Sequence, residues 1–254
     1  MSLVTDAELL EKKKSCRPVI TVLMPVYNGE KYLNESIQSI LSQSFSNFEL
    51  LIINDGSTDN TLQIINAFSD KRISVRTNSQ NKGIVFCLNL GLTLAKSEYI
   101  ARMDADDICT HSRLELQHCH MKKHPDIDIC GSWLEAFNEN KHRKIWKFPK
   151  YHNDISAQLL LNSSIMHPTA FMRKSSIDKH KIVYKKEFEK CEDYALWAST
   201  FQYLKFYNIQ LPLLLYRLSS ENTAQPYKTE QQIIANRIRH IILTQLGINV
   251  SNDD

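Results

Sequence analysis

Glycine is scarce in this chain, with six among 254 residues, so each one marks a place where extra backbone freedom outweighs its entropic cost. None belongs to a G-x-G-x-x-G or a G-x-x-x-x-G-K-[ST] pattern. The turn after the first apolar run reads Pro25-Val26-Tyr27-Asn28-Gly29-Glu30, which argues against a dinucleotide-dependent dehydrogenase and a P-loop phosphate site. The cysteines (16, 87, 109, 119, 130 and 191) form no C-x-x-C pair, and H-E-x-x-H is missing. Most of these cysteines sit in apolar or helical surroundings, so reduced thiols are expected. His118, Cys119, His120 and His124 crowd together, but without a zinc-site frame they read as a solvated helix face. No apolar run approaches the roughly 18 residues of a membrane span. Thr5-Asp6-Ala7-Glu8 and Lys12-Lys13-Lys14 lack a basic-then-apolar leader pattern, so a cytoplasmic location is expected. A net charge of +3 is too small to imply nucleic acid as a partner, and Lys141-His142-Arg143-Lys144 reads as a solvated loop.

What is present is alternation. With 43% hydrophobic and 23% charged residues, the chain has the make-up of a globular protein. Val19–Met24 is a nearly continuous apolar run ended by Pro25, as a parallel strand buried on both faces should look. Glu30–Gln43 then repeats Leu33, Ile37, Ile40 and Leu41 at helical spacing. Phe48–Ile53, Ile73–Arg76, Glu98–Met103 and Ile127–Gly131 read as further strands. Thr58–Phe68, Ile84–Ala95 and Arg113–His124 read as helices between them. Strand-helix-strand alternation predicts right-handed crossovers and a doubly wound, mostly parallel α/β sheet. From about Trp133 the alternation fails.

The fourth of these strands runs into Met103-Asp104-Ala105-Asp106-Asp107. On an extended backbone, alternate side chains share a face, so Asp104 and Asp106 can reach one point while Ala105 turns away. Carboxylates that close repel unless a cation lies between them. A divalent ion held by one or two carboxylates, with water and substrate phosphates completing its shell, fits that pattern. A polar loop in which Asp107 caps the next helix is the competing explanation. Gly29, Gly56 and Gly83 each follow a strand, on the edge where open α/β sheets bind ligands. Each gives its turn a residue free to take unusual φ/ψ. Asp55, ending the second strand, can accept from a base N–H or cap a helix. Tyr27 can stack on a base or cover the crevice.

Val22-Leu23-Met24-Pro25-Val26-Tyr27-Asn28, Ile53-Asn54-Asp55-Gly56-Ser57-Thr58-Asp59, Asn81-Lys82-Gly83, Asn89-Leu90-Gly91, Met103–Asp107 and Cys191-Glu192-Asp193-Tyr194-Ala195-Leu196-Trp197 follow one another in order. Together they resemble family 2 of the glycosyltransferases, inverting enzymes of the GT-A fold, and within it the bacterial surface-polysaccharide type. The resemblance runs from about Ile20 to Arg217. It implies transfer of one sugar from a nucleotide-diphosphate sugar, usually a UDP-sugar, to a glycan or lipid-linked acceptor. It implies Asp55 at the base, with Pro25, Val26, Tyr27, Asn28 and Glu30 lining that pocket. Asp104, beside Ala105, corresponds to the carboxylate near the ribose, and Asp106 to the ligand of a Mn²⁺ or Mg²⁺ ion on the diphosphate. Asp193, next to Glu192, corresponds to the general base. An acidic first turn of a helix would also favour those two acids.

The sequence departs from the family in places. Cys87-Leu88-Asn89 stands where the family often has Ala-Arg-Asn, so Lys82 or Arg102 is expected to take over a phosphate contact. The Q-x-x-R-W motif of processive synthases is missing. His167, in Ile165-Met166-His167-Pro168-Thr169, is implied as a contact to metal, diphosphate or acceptor, with a buried structural histidine as the alternative. Arg217 suits a bidentate phosphate contact. The implied organisation is an N-terminal extension (1–17), a donor-binding half (18–132), an acceptor-binding half (133–220) and a C-terminal helical extension (221–254). In that extension, Ile233, Ile234, Ile238, Ile241, Ile242 and Leu246 recur at helical spacing, suited to packing on the domain or in a homodimer. A peripheral membrane contact is the rival reading. Two further functions stay open: a sugar nucleotidyltransferase, which Pro25–Glu30 does not resemble, and a catalytically silent nucleotide-sugar-binding module.

Overall fold

The computed structural model describes residues 17–138, 142–218 and 228–248. Most of the expected N-terminal extension, Cys16 and Lys141 lie outside the described residues. Four strands open the sheet: β1 (Ile20–Val26), β2 (Phe48–Asn54), β3 (Ile73–Thr77) and β4 (Tyr99–Arg102). They are parallel, in the order β3-β2-β1-β4. Helices α1 (Leu33–Leu41), α2 (Thr61–Asn66) and α3 (Ile84–Leu94) form the crossovers. β1 is buried along its whole length because its residues feed both layers. Ile20, Val22 and Met24 pack with α1, whereas Leu23 packs with α3. Gly91 of α3 lies so close to Leu23 that a Cβ there would fall 2.2 Å from Leu23 Cδ1, which explains the glycine.

Beyond β4 the sheet turns antiparallel. β5 (Ile108–Cys109) and α4 (Arg113–Lys123) lead into β6 (Ile129–Phe137), which starts where a fifth strand was expected and runs six residues further than Gly131. β6 does not extend the parallel row. The short β8 (Phe171–Arg173) inserts between β4 and β6, antiparallel to both. β7 (Arg143–Trp146) forms a hairpin with β6, and β9 (Phe206–Arg217) runs parallel to it and antiparallel to β5. Pairing of β1 with β4 stops at Leu23. β1 stays paired with β2 as far as Val26, whereas β4 ends at Arg102. This carboxyl edge of the strands is where open α/β sheets bind ligands.

α5 (His152–Gln158), α6 (Lys174–Lys179), α7 (Glu192–Thr200) and α8 (Lys228–Gln245) complete the described helices. Ile234, Ile238 and Ile242 of α8 are buried in the same core cluster as Leu196 and Trp197 of α7. Those three pack within this chain, whereas Ile233 and Leu246 of the same apolar set are exposed. No helix among the described residues is long and apolar enough to cross a membrane.

Candidate active site

Two helices start later than their apolar periodicity suggests, and the reason shapes this edge of the sheet. Asn28 Oδ1 accepts from the Thr58 N–H at 2.9 Å, and Gly29 N–H donates to Thr61 Oγ1 at 2.8 Å. Glu30 N–H donates to Asp59 Oδ2, and Glu30 Oε2 accepts from Asn60 N–H, both at 3.0 Å. Residues 28–30 and 57–61 thus spend their polar groups on each other, stitching the β1 and β2 exit loops together. Asn28, at φ 49°, takes the left-handed conformation in the first turn, where Gly29 was expected to. Gly56 (φ 67°) and Gly83 (φ 88°) do take it in the other two. Pro25 and Val26 are buried strand residues, whereas Tyr27 is 47% exposed at the rim.

Asp55 is buried and caps no helix. Its Oδ1 accepts from Asn78 Nδ2 at 2.6 Å and from Lys82 N–H at 3.0 Å, while Oδ2 accepts from Gly83 N–H at 2.8 Å. The carboxylate therefore shapes the loop that carries Lys82, whose ammonium lies over the Phe86 ring. The Cys87 thiol is also hydrogen-bonded to the Asp55 carboxylate, so its roughly four lone-pair positions are met within the chain.

Asp104, Asp106 and Asp107 each bring a carboxylate oxygen to one place, all within 4.8 Å of one another. They do so on a turn rather than on the extended backbone expected, since β4 ends at Arg102. Ser36 Oγ of α1 holds the turn by donating to the carbonyls of Ala105 (2.8 Å) and Asp107 (2.7 Å). Asp107 caps no helix either. It is fully buried, and its Oδ1 accepts from the Arg217 N–H at 2.9 Å. Arg217 also donates its Nε to the Asp106 carbonyl at 2.8 Å, pairs with Glu35 and stacks over Tyr32 and Phe137. Burial, then the charge of Asp104, pushes Asp106 up to about 6. The same causes, with Asp106 added, push Asp107 well above the carboxylate range. Asp107 Oδ2 is buried without a hydrogen-bond partner. Three converging carboxylates, two resisting ionisation and one with an orphaned oxygen, fit a hard divalent cation.

His167 is not part of that group. It is buried, its Nε2 lies 2.9 Å from the Tyr184 hydroxyl, and its Nδ1 lies 3.8 Å from Glu192 Oε1. Burial, then Arg102, drives its pKa well down, so the ring is neutral and the Glu192 contact is no ion pair. Nor do His118, Cys119, His120 and His124 converge on a metal position. Asp104, Asp106 and Asp107 are the one such group of three among the described residues.

Glu192 and Asp193 open α7, and Asp193 Oδ2 accepts from Ser163 Oγ at 3.4 Å. Burial, then Asp193, pushes Glu192 up to about 7. Asp193 is also raised, chiefly by burial. Between the two acid sets lies Arg102, 4% exposed and ion-paired with Asp104. Its positive charge also lowers the pKa of Asp106, Asp107, Glu192 and Asp193. One buried cation thus serves both carboxylate groups. Sequence reasoning missed Asp107, Ser36, Ser163 and Tyr184 as site residues. Ser36 alone left a signal, a polar residue on the apolar face that carries Leu33, Ile37 and Ile40.

A parallel half-sheet that turns antiparallel beyond β4, with a carboxylate cluster just past the end of β4, is the arrangement of the GT-A fold. The crystal structure of S. aureus TarS 1-349 in complex with UDP-GlcNAc superposes with a TM-score of 0.73 at 20% identity, covering 91% of this chain and 68% of that one. The chain belongs to glycosyl transferase family 2, whose profile matches residues 21–181. An uncharacterized glycosyltransferase of Haemophilus influenzae is 36% identical over 248 residues, 92% of this chain and 77% of that one. The Escherichia coli protein named UDP-Glc:alpha-D-GlcNAc-diphosphoundecaprenol beta-1,3-glucosyltransferase WfgD is 33% identical over 181 residues, 71% and 69% of the two chains. The protein is accordingly an enzyme that transfers a sugar from a nucleotide sugar.

Proposed function

We propose that this enzyme moves one sugar, with inversion, from a UDP-sugar to a hydroxyl of a lipid-linked glycan, Asp193 acting as general base. The observation that carries the reading is Arg102, buried between the Asp104–Asp107 turn and the Glu192-Asp193 pair. Donor-side and acceptor-side acids then flank one reaction centre. The acceptor oxygen attacks the anomeric carbon, the bond from that carbon to the diphosphate breaks, and the acceptor proton passes to the Asp193 carboxylate. A positioned base contributes about 10²–10⁴-fold. No covalent nucleophile is needed.

Asp106 and Asp104, with Asp107 behind them, would hold a Mn²⁺ or Mg²⁺ ion. Such an ion would supply charge neutralisation to the departing diphosphate. Arg217 lies against the same turn, whereas Lys82 lies beside Asp55. Asp55 suits a uracil ring N–H that displaces the Cys87 thiol, the weakest of its donors, and Tyr27 is exposed to cover the base. In this reading residues 18–132 take the donor and 133–220 the acceptor. His167 serves as a neutral prop for Glu192, no longer as a metal ligand. The printed name of WfgD supports a diphosphate-linked lipid acceptor. A setting in surface-polysaccharide synthesis (O-antigen or capsule), peripheral on the cytoplasmic membrane face, follows from that acceptor. The test is a thermal-shift panel of nucleotide sugars with and without Mn²⁺. UDP-sugars should raise Tm with the ion, and an equal shift from ADP-sugars would refute the assignment.

A further inference from the structure

α8 was expected to pack on the domain or in a homodimer, or else to touch a membrane; it also walls the cleft that holds the proposed base. Ser163, Lys190, Asp193, Gln231, Gln232 and Arg239 line an open cleft of about 360 Å³. The first turns of α8 grip the segment just ahead of Glu192. Gln231 Nε2 donates to the Lys190 carbonyl at 3.1 Å, and Lys190 holds a left-handed φ of 78° there. The Lys190 ammonium pairs with Glu230. Arg239 differs. Its Nε and Nη2 donate to the Leu161 carbonyl at 3.0 and 2.7 Å, and its Nη1 to Asn236 Oδ1 at 2.5 Å. It is also hydrogen-bonded to the Tyr194 phenol, and all of these acceptors are neutral oxygens. No carboxylate pairs with Arg239 among the described residues. A guanidinium has five N–H donors, so capacity remains for a ligand.

A half-buried cation that forms no ion pair among the described residues, in the cleft of the proposed base, suits an anion on the acceptor. We infer that this cleft is the acceptor subsite, that α8 is one of its walls, and that Arg239 binds the phosphate groups through which the acceptor sugar is linked. Gln231 and Gln232 offer amides for the sugar hydroxyls. The inference rests on the reading of Asp193 as base, and it assigns α8 a part in acceptor choice that packing alone does not require.

The experiment uses the full chain with UDP and Mn²⁺ bound and measures affinity by calorimetry for three probes. These are alkyl α-N-acetylglucosaminyl diphosphate, the alkyl α-N-acetylglucosaminide lacking phosphate, and alkyl diphosphate lacking sugar. Wild type should bind the first about tenfold more tightly than the second, one charge-assisted contact being of that order. Arg239→Gln, which can still donate to Leu161, should erase that preference while leaving UDP affinity unchanged. Arg239→Lys should restore part of it. Equal affinity of wild type for the first two probes would overturn the proposal, as would a preference that survives in Arg239→Gln. A fall in UDP affinity in Arg239→Gln would assign the residue to the donor and also overturn it. Binding of phosphatidylglycerol vesicles with the same Arg239 dependence would make the anion a membrane headgroup instead. Failure of UDP to bind wild type at all would strike the underlying reading, and so is distinguishable from these results.

Discussion

Asn89 and Tyr184 exchange two hydrogen bonds across 95 residues of sequence, Asn89 Nδ2 to the Tyr184 carbonyl and Tyr184 N–H to Asn89 Oδ1, each 2.8 Å. The Tyr184 hydroxyl then meets His167 Nε2, and the other nitrogen of that ring faces Glu192. Tyr184 thus meets α3 through its backbone and His167 through its hydroxyl, with His167 facing Glu192. The Asn89-Leu90-Gly91 motif is structural here: the amide clasps Tyr184, and the glycine makes room for Leu23.

Asn89→Ala leaves the buried Tyr184 N–H and carbonyl without partners. The expected loss is about 1–3 kcal/mol, read as a lower urea midpoint with an unchanged slope. An unchanged midpoint would mean that water replaces both bonds without cost.

Asp55→Ala should lower both stability and nucleotide affinity, because its donors lose their acceptor and the Lys82 loop loses its anchor. Asp55→Asn keeps one acceptor oxygen but adds an NH₂ facing the Gly83 or Lys82 N–H, so it should be nearly as harmful. Competition among UDP, GDP and ADP against wild type reads the base preference. A clear preference for ADP would remove Asp55 from the base.

Nucleotide binding should depend on a divalent cation through Asp106. UDP titration with Mn²⁺ and then with EDTA should differ by at least about tenfold, and Asp106→Asn should abolish the difference. Equal UDP affinity in both buffers would remove the metal role.

β1, β2 and β4 were legible because they are buried on both faces and read as nearly unbroken apolar runs. β1 runs two residues past its expected end, through Pro25, and β3 is only half-buried. Helix starts were less legible. Glu30 and Thr58–Asn60 have helix-compatible sequences, yet their polar groups are committed to the facing loop, a contact across roughly 30 residues that local periodicity does not carry. β8 escaped notice because three residues, Phe171–Arg173, are too few to display a period. The carboxylates Asp104, Asp106 and Asp193 stood out by type and spacing. Asp107 did not, because a turn rather than a strand brings it to the others.

Glu192 carries a pH signature. Its pKa is pushed from 4.5 to about 7 in the folded chain, with Arg102, Asp193, His167 and Tyr184 around it. Between those values the folded chain keeps a proton that the unfolded chain has lost, so stability falls as pH rises through that window. Glu192→Gln should therefore raise Tm relative to wild type near pH 8, where the buried carboxylate is ionised, and change it little near pH 4.5, the ordinary carboxyl value. The same Tm difference at both pH values would deny the burial penalty.

Asp193→Asn separates base catalysis from binding. The amide keeps the size of the side chain and can still accept from Ser163 Oγ, which lies 3.4 Å from the carboxylate, but it cannot take a proton from the acceptor. Transfer should fall about 10²–10⁴-fold in kcat. UDP affinity should hold, because the proposed function puts Asp193 on the acceptor side of Arg102. Glu192→Gln should lose less, since His167 is neutral and no ion pair is broken. Initial-rate transfer, alongside calorimetric UDP binding for each variant, makes the comparison. Near-normal turnover in Asp193→Asn would pass the role of base to Glu192, the one other acid of the pair. A loss of UDP binding instead would move Asp193 to the donor, and the acceptor cleft walled by α8 would lose its catalytic group.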